Sequence, residues 1–503
     1  MVLRRTRDNK FFNHQSTNMK KYLLIILCII RFANAQTVHI SGSTGNEAKT
    51  DTVMIQVWDH FFSESKNDLI PHRSFEQQAI TGTYDFTIDK ISGPVYFSLY
   101  TGTFSHNRPK VILSHYLIEP GDSIHINRTA DGKFVFSGKG SSKSNCRYGL
   151  DSLTEKLNKY FGAPRARNDE YKNKHYLNSQ RMRFQELDSL LTVQLQFLDS
   201  YRPQISNKSL QLLQADLVGK NIELKCGNYD TEEKDIRDKN IADNEQRNIT
   251  VLHAEYLQGV TNVQLLISDS IKSLSAVYPM ALIKSAIVAE PERLAGPVNA
   301  QISEHYKGIL KDRLLATYMI EYFNFIPGAD SVLAQVLDNM QTAYYKEPLQ
   351  SMQNRLSPGS PAYDFTLVDS HDKLRHLSEF KGKTVFLDFW FTGCMGCANF
   401  YKGVLSEVEE DHWNDSSVVF ISICIDANKD TWLKSVESNV YARPNGINLS
   451  TGSLGQQHPV ANQYSTTAYP ATFLIDRNGR IVSHTQLMWD KKKFEAMLQE
   501  AAR

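Results

Sequence analysis

Cys394 and Cys397 are separated by Met395 and Gly396 and follow the run Phe389-Trp390-Phe391-Thr392-Gly393. Two cysteines at this spacing, placed directly after a buried strand and opening a helix, can close one small disulfide ring and reopen it. The first cysteine then sits where the unpaired N–H groups and the dipole of the helix favour a thiolate over a thiol. Such a position lowers a thiol from about 8.5 to between roughly 3.5 and 7.5. The thiolate attacks a substrate disulfide, and the second thiol resolves the mixed disulfide. Competing uses of the pair fit less well. A zinc site needs further ligands at metal spacing, and there is no second C-x-x-C. A c-type haem site needs His after the second cysteine, where Ala398 stands. An inert structural disulfide rarely sits between a strand and a helix. The motif calls for no metal and no cofactor.

Asp388 lies six positions before Cys394 in a strand that is otherwise apolar. At an exposed edge it would be an ordinary surface charge. Buried, it would be costly, its pKa would rise, and it would have a task. The remaining cysteines say less. Cys424, in an apolar strand, reads as a small core residue; whether Cys146 and Cys226 pair is left open, because sequence does not establish proximity. The run Ser137 to Ser144 is rich in Gly, Ser and Lys but lacks phosphate-loop spacing.

The elements that must position this chemistry occupy the last part of a 503-residue chain. At roughly 150 residues per domain, that length predicts about three domains. With 41% hydrophobic and 22% charged residues the chain is neither disordered nor collagen-like, and a net charge of +1 argues against a nucleic-acid partner. Residues 36–142 read as a small antiparallel β sandwich or barrel, with strands at Thr52–Trp58, Val95–Tyr100, Tyr116–Ile118, Ser123–Ile126 and Lys133–Phe136, and a Glu119-Pro120-Gly121-Asp122 turn. Residues 145–355 read as helical. Phe184, Leu187, Leu190 and Leu191 mark one apolar face; Tyr306, Leu310, Leu314, Tyr318 and Tyr322, four apart, mark another. A break is expected near Pro327-Gly328, and the segment Ser357 to Pro361 reads as a linker. Beyond it, residues 357–503 read as an independent α/β unit. Thr384–Phe389 and Val418–Ile425 are strands buried on both faces, Asp476 to Gly479 joins a hairpin, and a last helix covers Lys491–Ala502.

The N-terminus reads as an address. Lys20 and Lys21 precede an apolar run from Tyr22 to Ile30, then Ala33-Asn34-Ala35 supplies a cleavage signal. Residues 1–35 are therefore expected to be a secretory signal peptide, with Met19 able to begin a complete one. The run is too short for a membrane span. Leu27 before Cys28 is not the small residue that a lipoprotein signal requires. Residues 1–35 hold seven basic residues and one acidic residue, so the rest of the chain carries 49 basic against 54 acidic.

Residues 357–503 resemble the thioredoxin superfamily in its extracytoplasmic TlpA/ResA-like branch. The resemblance rests on Pro358-Gly-Ser-Pro361 with Asp364-Phe365, Leu377 to Gly382, the Cys394–Cys397 motif, and Tyr469-Pro470-Ala-Thr-Phe-Leu-Ile-Asp476. It implies that Cys394 and Cys397 form a redox-active disulfide, with Cys394 as nucleophile and Cys397 as resolving thiol. Asp388 is then the buried general base for Cys397, and Pro470 a cis-proline facing the cysteines. Tyr469 and Trp390 are expected to help position substrate. The sequence departs from the family at Gly393, where tryptophan is usual, at Met395-Gly396, and at Phe400, where a ResA-like glutamate would stand. A peroxiredoxin, of related fold, would need a Thr-x-x-Cys site that is absent. The Tyr116–Ile124 and Phe136–Ser141 stretches are similar to β domains that precede thioredoxin domains in Bacteroidota envelope proteins.

The resulting expectation is an exported thiol–disulfide oxidoreductase of the periplasm or cell envelope. It would reduce disulfide-containing envelope proteins, with apocytochrome c as one destination, and draw electrons from a membrane donor. Residues 36–355 would recruit substrate or oligomerise; a homo-oligomer is left open. The rivals are an envelope binding or scaffold protein with an incidental dithiol, and an oxidase or isomerase of the same fold.

Overall fold

The computed structural model describes residues 36–43, 52–61, 72–79, 82–102, 110–129, 131–161, 169–170, 172, 175–238, 251–259, 267–289, 298–326, 328–466, 468–484 and 489–502. The leader expected over residues 1–35, with Cys28, lies outside the described residues. Eight strands come first: β1 (Gln36–Ser43), β2 (Thr52–Trp58), β3 (Arg73–Gln78), β4 (Thr83–Ile91), β5 (Val95–Thr101), β6 (Lys110–Ile118), β7 (Ser123–Arg128) and β8 (Phe134–Lys139). They form two four-stranded sheets, β4-β1-β7-β8 and β3-β2-β5-β6. The antiparallel expectation needs one correction, because β1 and β7 pair in parallel. Alternation explains β4, where Tyr84, Phe86 and Ile88 are buried between exposed Thr83, Asp85 and Thr87. It fails in β2, which is buried throughout. Val53, Ile55 and Val57 face the other sheet, while Trp58 joins Tyr96 and Leu117 in the core of the helical region. A sheet covered on both sides has no polar face to display.

The helical region comprises α1 (Ser141–Phe161), α2 (Tyr176–Ser200), α3 (Asn207–Asp238), α4 (Tyr278–Ala289), α5 (Val298–His305), α6 (Gly308–Tyr322), α7 (Ala329–Asn339) and α8 (Ala343–Leu356). Residues 251–259 and the single turn Asp269–Lys272 add helical structure between α3 and α4. Phe184, Leu187, Leu190 and Leu191 are buried on α2 as their spacing requires. The tyrosine stripe is interrupted: Tyr306 falls between α5 and α6, and α6 is buried around most of its circumference. Fully buried Asp216 ties this region to the sandwich. It accepts from the Tyr96 hydroxyl at 2.9 Å, the Ser275 hydroxyl at 2.5 Å and the Ala276 N–H at 3.1 Å. Those three donors meet the requirement that a buried carboxyl be hydrogen-bonded. Cys146 on α1 and Cys226 on α3 are buried and not joined by a disulfide, so the pairing left open by the sequence is not made.

The C-terminal region is an α/β unit of thioredoxin-like fold. Its seven-stranded sheet is built from β9 (Thr366–Asp369), β10 (Leu374–His376), β11 (Thr384–Trp390), β12 (Val418–Cys424), β13 (Ile447–Ser450), β14 (Ala471–Ile475) and β15 (Ile481–Ser483), in the order β10-β9-β13-β12-β11-β14-β15. β11, β12 and β13 run parallel; β14 is antiparallel to β11, and β15 is antiparallel to β14. The helices are α9 (Met395–Phe400), α10 (Ser406–Asp411), α11 (Lys429–Glu437), α12 (Pro459–Gln463) and α13 (Lys491–Ala501), with a π-helical segment Tyr401–Leu405 joining α9 to α10.

Alternation along β11 separates two faces. Val385, Leu387 and Phe389 belong to one contiguous core that also contains Phe323, Leu333 and Leu356 of the helical region. His484, just past β15, sits at this junction. Its ring stacks on Phe323 at 4.8 Å, lies 6.0 Å from Phe473 of β14, and its Nε2 is 3.2 Å from Asp330 of α7. Phe386 lies on the other face, packed with Phe400, Leu405, Val408, Leu474 and Phe494 beneath α9, α10 and α13.

The junction has a measurable consequence. A fragment spanning residues 357–503 is expected to keep its sheet, since every strand of that sheet lies within it. It should melt lower than the same region in the full chain, by on the order of 10 °C, because a few apolar side chains lose their cover. Thermal melts followed by circular dichroism check this. Equal midpoints would mean that the shared core adds no stability.

Candidate active site

β11 delivers the chain to the site. Its last residue, Trp390, is fully buried, stacks on Tyr441 at 4.9 Å with planes 7° apart, and donates from Nε1 to the Ser422 hydroxyl at 2.5 Å. The next residues form a tight bend. Thr392 donates its backbone N–H and its hydroxyl to Asp426 at the end of β12. Gly393 has φ of 92°, and its N–H donates to the Tyr441 hydroxyl at 3.0 Å. The left-handed backbone explains one departure from the family: a tryptophan at 393 would be strained in this conformation.

The bend ends at Cys394, which is the N-cap of α9. Cys394 and Cys397 form a disulfide with Cα atoms 5.3 Å apart, and Cys394 Sγ accepts the Cys397 N–H at 3.1 Å. An N–H directed at this sulfur is the local form of the helix-start effect, and it stabilises negative charge there. Cys394 is 6% exposed and Cys397 is 1% exposed. Of the two residues, Cys394 is the more accessible. Met395 beside it is 77% exposed.

Pro470 closes the other side. The Tyr469–Pro470 bond is cis, and the place where a Gly396 Cβ would stand is 3.5 Å from Pro470 Cδ and 3.5 Å from the Tyr469 carbonyl oxygen. Tyr469 packs edge-on against Phe391 with centroids 5.5 Å apart, and its hydroxyl donates to the Thr466 carbonyl at 3.2 Å. Both Phe391 and Tyr469 are half-buried at the rim. The structure therefore brings Cys394, Cys397, Pro470 and Tyr469 together. Trp390, expected to help position substrate, is buried and packs in one cluster with both cysteines.

Asp388 lies on the same face of β11 as Trp390, directly opposite Ser422 of β12 and Thr472 of β14. It is 2% exposed, and its Oδ1 has no hydrogen-bond partner. Burial raises its pKa well above the usual carboxylate range, and the charge of Glu409 raises it further. Cys424 packs in the cluster of Trp390, Cys394 and Cys397 as a free thiol whose pKa burial also raises. Sequence reading missed Tyr441, Asp426 and Glu409. Glu409 had left a signal, since it falls four residues after Leu405 and beside Val408, on a helix stripe that is otherwise apolar.

A protein-family model described as Redoxin matches residues 357–498. Over 127 residues the chain is 28% identical to the thiol-disulfide oxidoreductase ResA of Bacillus subtilis (strain 168). That alignment covers 25% of this chain and 66% of the relative, just under two thirds of the relative's length. Similarity to ResA of Geobacillus kaustophilus is 29% over 152 residues, covering 30% of this chain and 78% of that protein. The solved thioredoxin domain of a thiol-disulfide oxidoreductase from Bacteroides vulgatus is 23% identical, covers 29% of this chain and 99% of its own, and has a TM-score of 0.26. The C-terminal region is thus a redoxin-like domain, homologous at low identity to ResA-type oxidoreductases.

The position of Cys394 at the N-cap of α9, with the Cys397 N–H directed at its Sγ, predicts an order of attack. Cys397→Ala should accumulate mixed disulfides through Cys394, whereas Cys394→Ala should accumulate almost none. Non-reducing gels of the two variants, after reduction and challenge with a disulfide-bonded protein, check this. Equal trapping by both would remove the assigned order.

Proposed function

We propose that the chain is an exported thiol–disulfide oxidoreductase that reduces disulfides of cell-envelope proteins. The observation that carries this reading is the Cys394–Cys397 disulfide at the start of α9, with the Cys397 N–H directed at Cys394 Sγ. In the dithiol form, the same N–H and the helix start favour a Cys394 thiolate. That thiolate attacks one sulfur of a substrate disulfide and releases the other as a thiolate. Asp388 takes the proton of Cys397, which then attacks Cys394 and displaces the substrate's second thiolate. The protein ends as the disulfide, the substrate as two thiols, and two electrons have moved. Pro470 and Tyr469 position the substrate chain beside Cys394.

The printed names of the ResA relatives support the activity, and the expected leader over residues 1–35 supports export to the periplasm or cell envelope. A membrane donor would regenerate the dithiol. No described helix is long and apolar enough to cross a membrane. Residues 36–142 and 145–355 would serve as a platform that recruits substrate, and residues 357–503 as the redox unit.

Insulin reduction tests the reading. The full chain with dithiothreitol should reduce insulin on the order of tenfold faster than dithiothreitol alone, and Cys394→Ala should add nothing. A wild-type chain no better than buffer would favour a binding protein with an inert disulfide. The reduction potential fixes the direction: a reductase requires a pair below the roughly −180 mV of protein disulfide isomerase, whereas a value near −120 mV marks an oxidant.

A further inference from the structure

The face of the sheet beneath the cysteine helix holds a second buried acid. Glu409 on α10 is 8% exposed, and its Oε2 has no hydrogen-bond partner. Asp388 Oδ1 is equally unpartnered and buried. Two buried carboxyls lacking compensating hydrogen bonds are expensive, and each such group calls for an explanation. Beside them lies a cavity of about 240 Å³ that opens to the surface, lined among others by Glu409, His412, Ser422, Arg443 and Asn448. At about 30 Å³ of liquid per molecule, it has room for several waters. Ser422 lines this cavity and is also the residue opposite Asp388 across the β11–β12 pair.

We propose that Glu409 is the second carboxyl of a proton path that leads from Asp388 to this water-accessible cavity. The proposal rests on the reading of Asp388 as base for Cys397. When Cys397 is activated, its proton moves to the Asp388 carboxylate. It passes from there to Glu409 and then to water in the cavity. Each acid gains and loses one proton, so both return to their starting state. The electrons travel separately: the Cys397 thiolate forms the bond to Cys394 sulfur, the mixed disulfide breaks, and its electron pair leaves on the substrate thiolate. Glu409 acts through Asp388 and is a positioning residue, not a catalytic one.

The charged surroundings suit such a role. Burial pushes Glu409 up to about 7, while Arg443 pulls the other way. Arg443 is bound to Glu410 at 2.6 Å and stacks over Trp413. His412 is engaged by Glu495 at 2.8 Å and Asp415 at 3.6 Å. Tyr401, on the π-helical segment, feels the Glu409 charge and donates its hydroxyl to Asn439. β12 contributes only the uncharged Val418, Val419, Phe420 and Ser422. A carboxyl near neutrality can both take and release a proton at working pH.

The test isolates the resolving step in the full chain. The reduced protein is mixed with Ellman's reagent in a stopped-flow instrument. Release of the second thionitrobenzoate reports attack of Cys397 on the Cys394 mixed disulfide. In the wild type this rate should rise through an inflection near pH 7. Glu409→Gln should lower it about tenfold and abolish the inflection, leaving the first attack by Cys394 unchanged. Arg443→Met removes the charge that holds Glu409 down, so the inflection should move to higher pH; this variant keeps the test decisive if Glu409→Gln does not fold. A wild-type rate and profile in Glu409→Gln, or an unmoved inflection in Arg443→Met, would overturn the relay. If Asp388→Asn also resolves at the wild-type rate, the base assignment itself fails, and with it the reading on which the relay rests.

Discussion

Much of the C-terminal region can be understood from the need to hold one carboxyl, Asp388, in the middle of a buried strand. Its neighbours across the sheet are Ser422 and Thr472, the small polar residues that face it from β12 and β14. This polar belt divides the covered face into two apolar clusters. One, around Phe386, Leu405 and Phe494, anchors α10 and α13. The other, around Trp390, Trp432 and Cys424, encloses both sulfurs of the disulfide. The helix that begins at Cys394 crosses from the second cluster to the first and therefore passes over the acid. A fully apolar strand would pack better and would leave no carboxyl beneath the disulfide, because an unpartnered buried polar group is costly. The retained cost fits a chemical role. The π-helical segment Tyr401–Leu405 lies within this crossing, and such segments are frequent at functional sites.

The opposite face of the same sheet serves a different purpose. Its core continues into α7 and α8 and the Phe323 turn, with the His484 ring held between Phe323 and Phe473 and against Asp330. The helical region in turn interlocks with the sandwich through Asp216 and Tyr96. The C-terminal region is thus joined to the preceding regions through the sheet face opposite Asp388 and Trp390. Phe391 and Tyr469 at the rim pack against both this core and the cysteine cluster, and Met395 beside Cys394 is exposed.

What could be read from the sequence follows the range of the interactions concerned. The Cys394–Cys397 spacing and the continuous runs of β11 and β12 are local patterns, and each folds as its own residues direct. So does the turn at Glu119 to Asp122, where Gly121 has φ of 78° and the Asp122 carboxylate accepts the Glu119 N–H at 2.7 Å. The parallel pairing of β1 with β7 joins residues about eighty apart, and nothing in either strand announces it. β9, β10 and β13, of three or four residues each, are too short to carry a period. Tyr306 has helical spacing, but the chain breaks between α5 and α6 there, because packing of α6 on nearly all sides sets its limits. Within the site, Tyr441 and Asp426 come from loops after β12, so their contribution emerges only when the sheet is assembled.

The account turns on Asp388 binding a proton more tightly in the folded protein than in water, as a base for a thiol must, and the pH dependence of stability measures this directly. An unfolded aspartate ionises near 3.9. The folded one, raised by burial and then by Glu409, keeps its proton well above that. Between those limits the native state binds the additional proton, so wild-type stability falls as pH rises. Asp388→Asn has no such proton to lose. Its unfolding free energy, from denaturant titrations of the full chain between about pH 5 and pH 8, should exceed that of the wild type by a margin that grows steadily with pH. A constant difference across that range would mean that Asp388 ionises normally in the folded protein, and would contradict its assignment as the buried base.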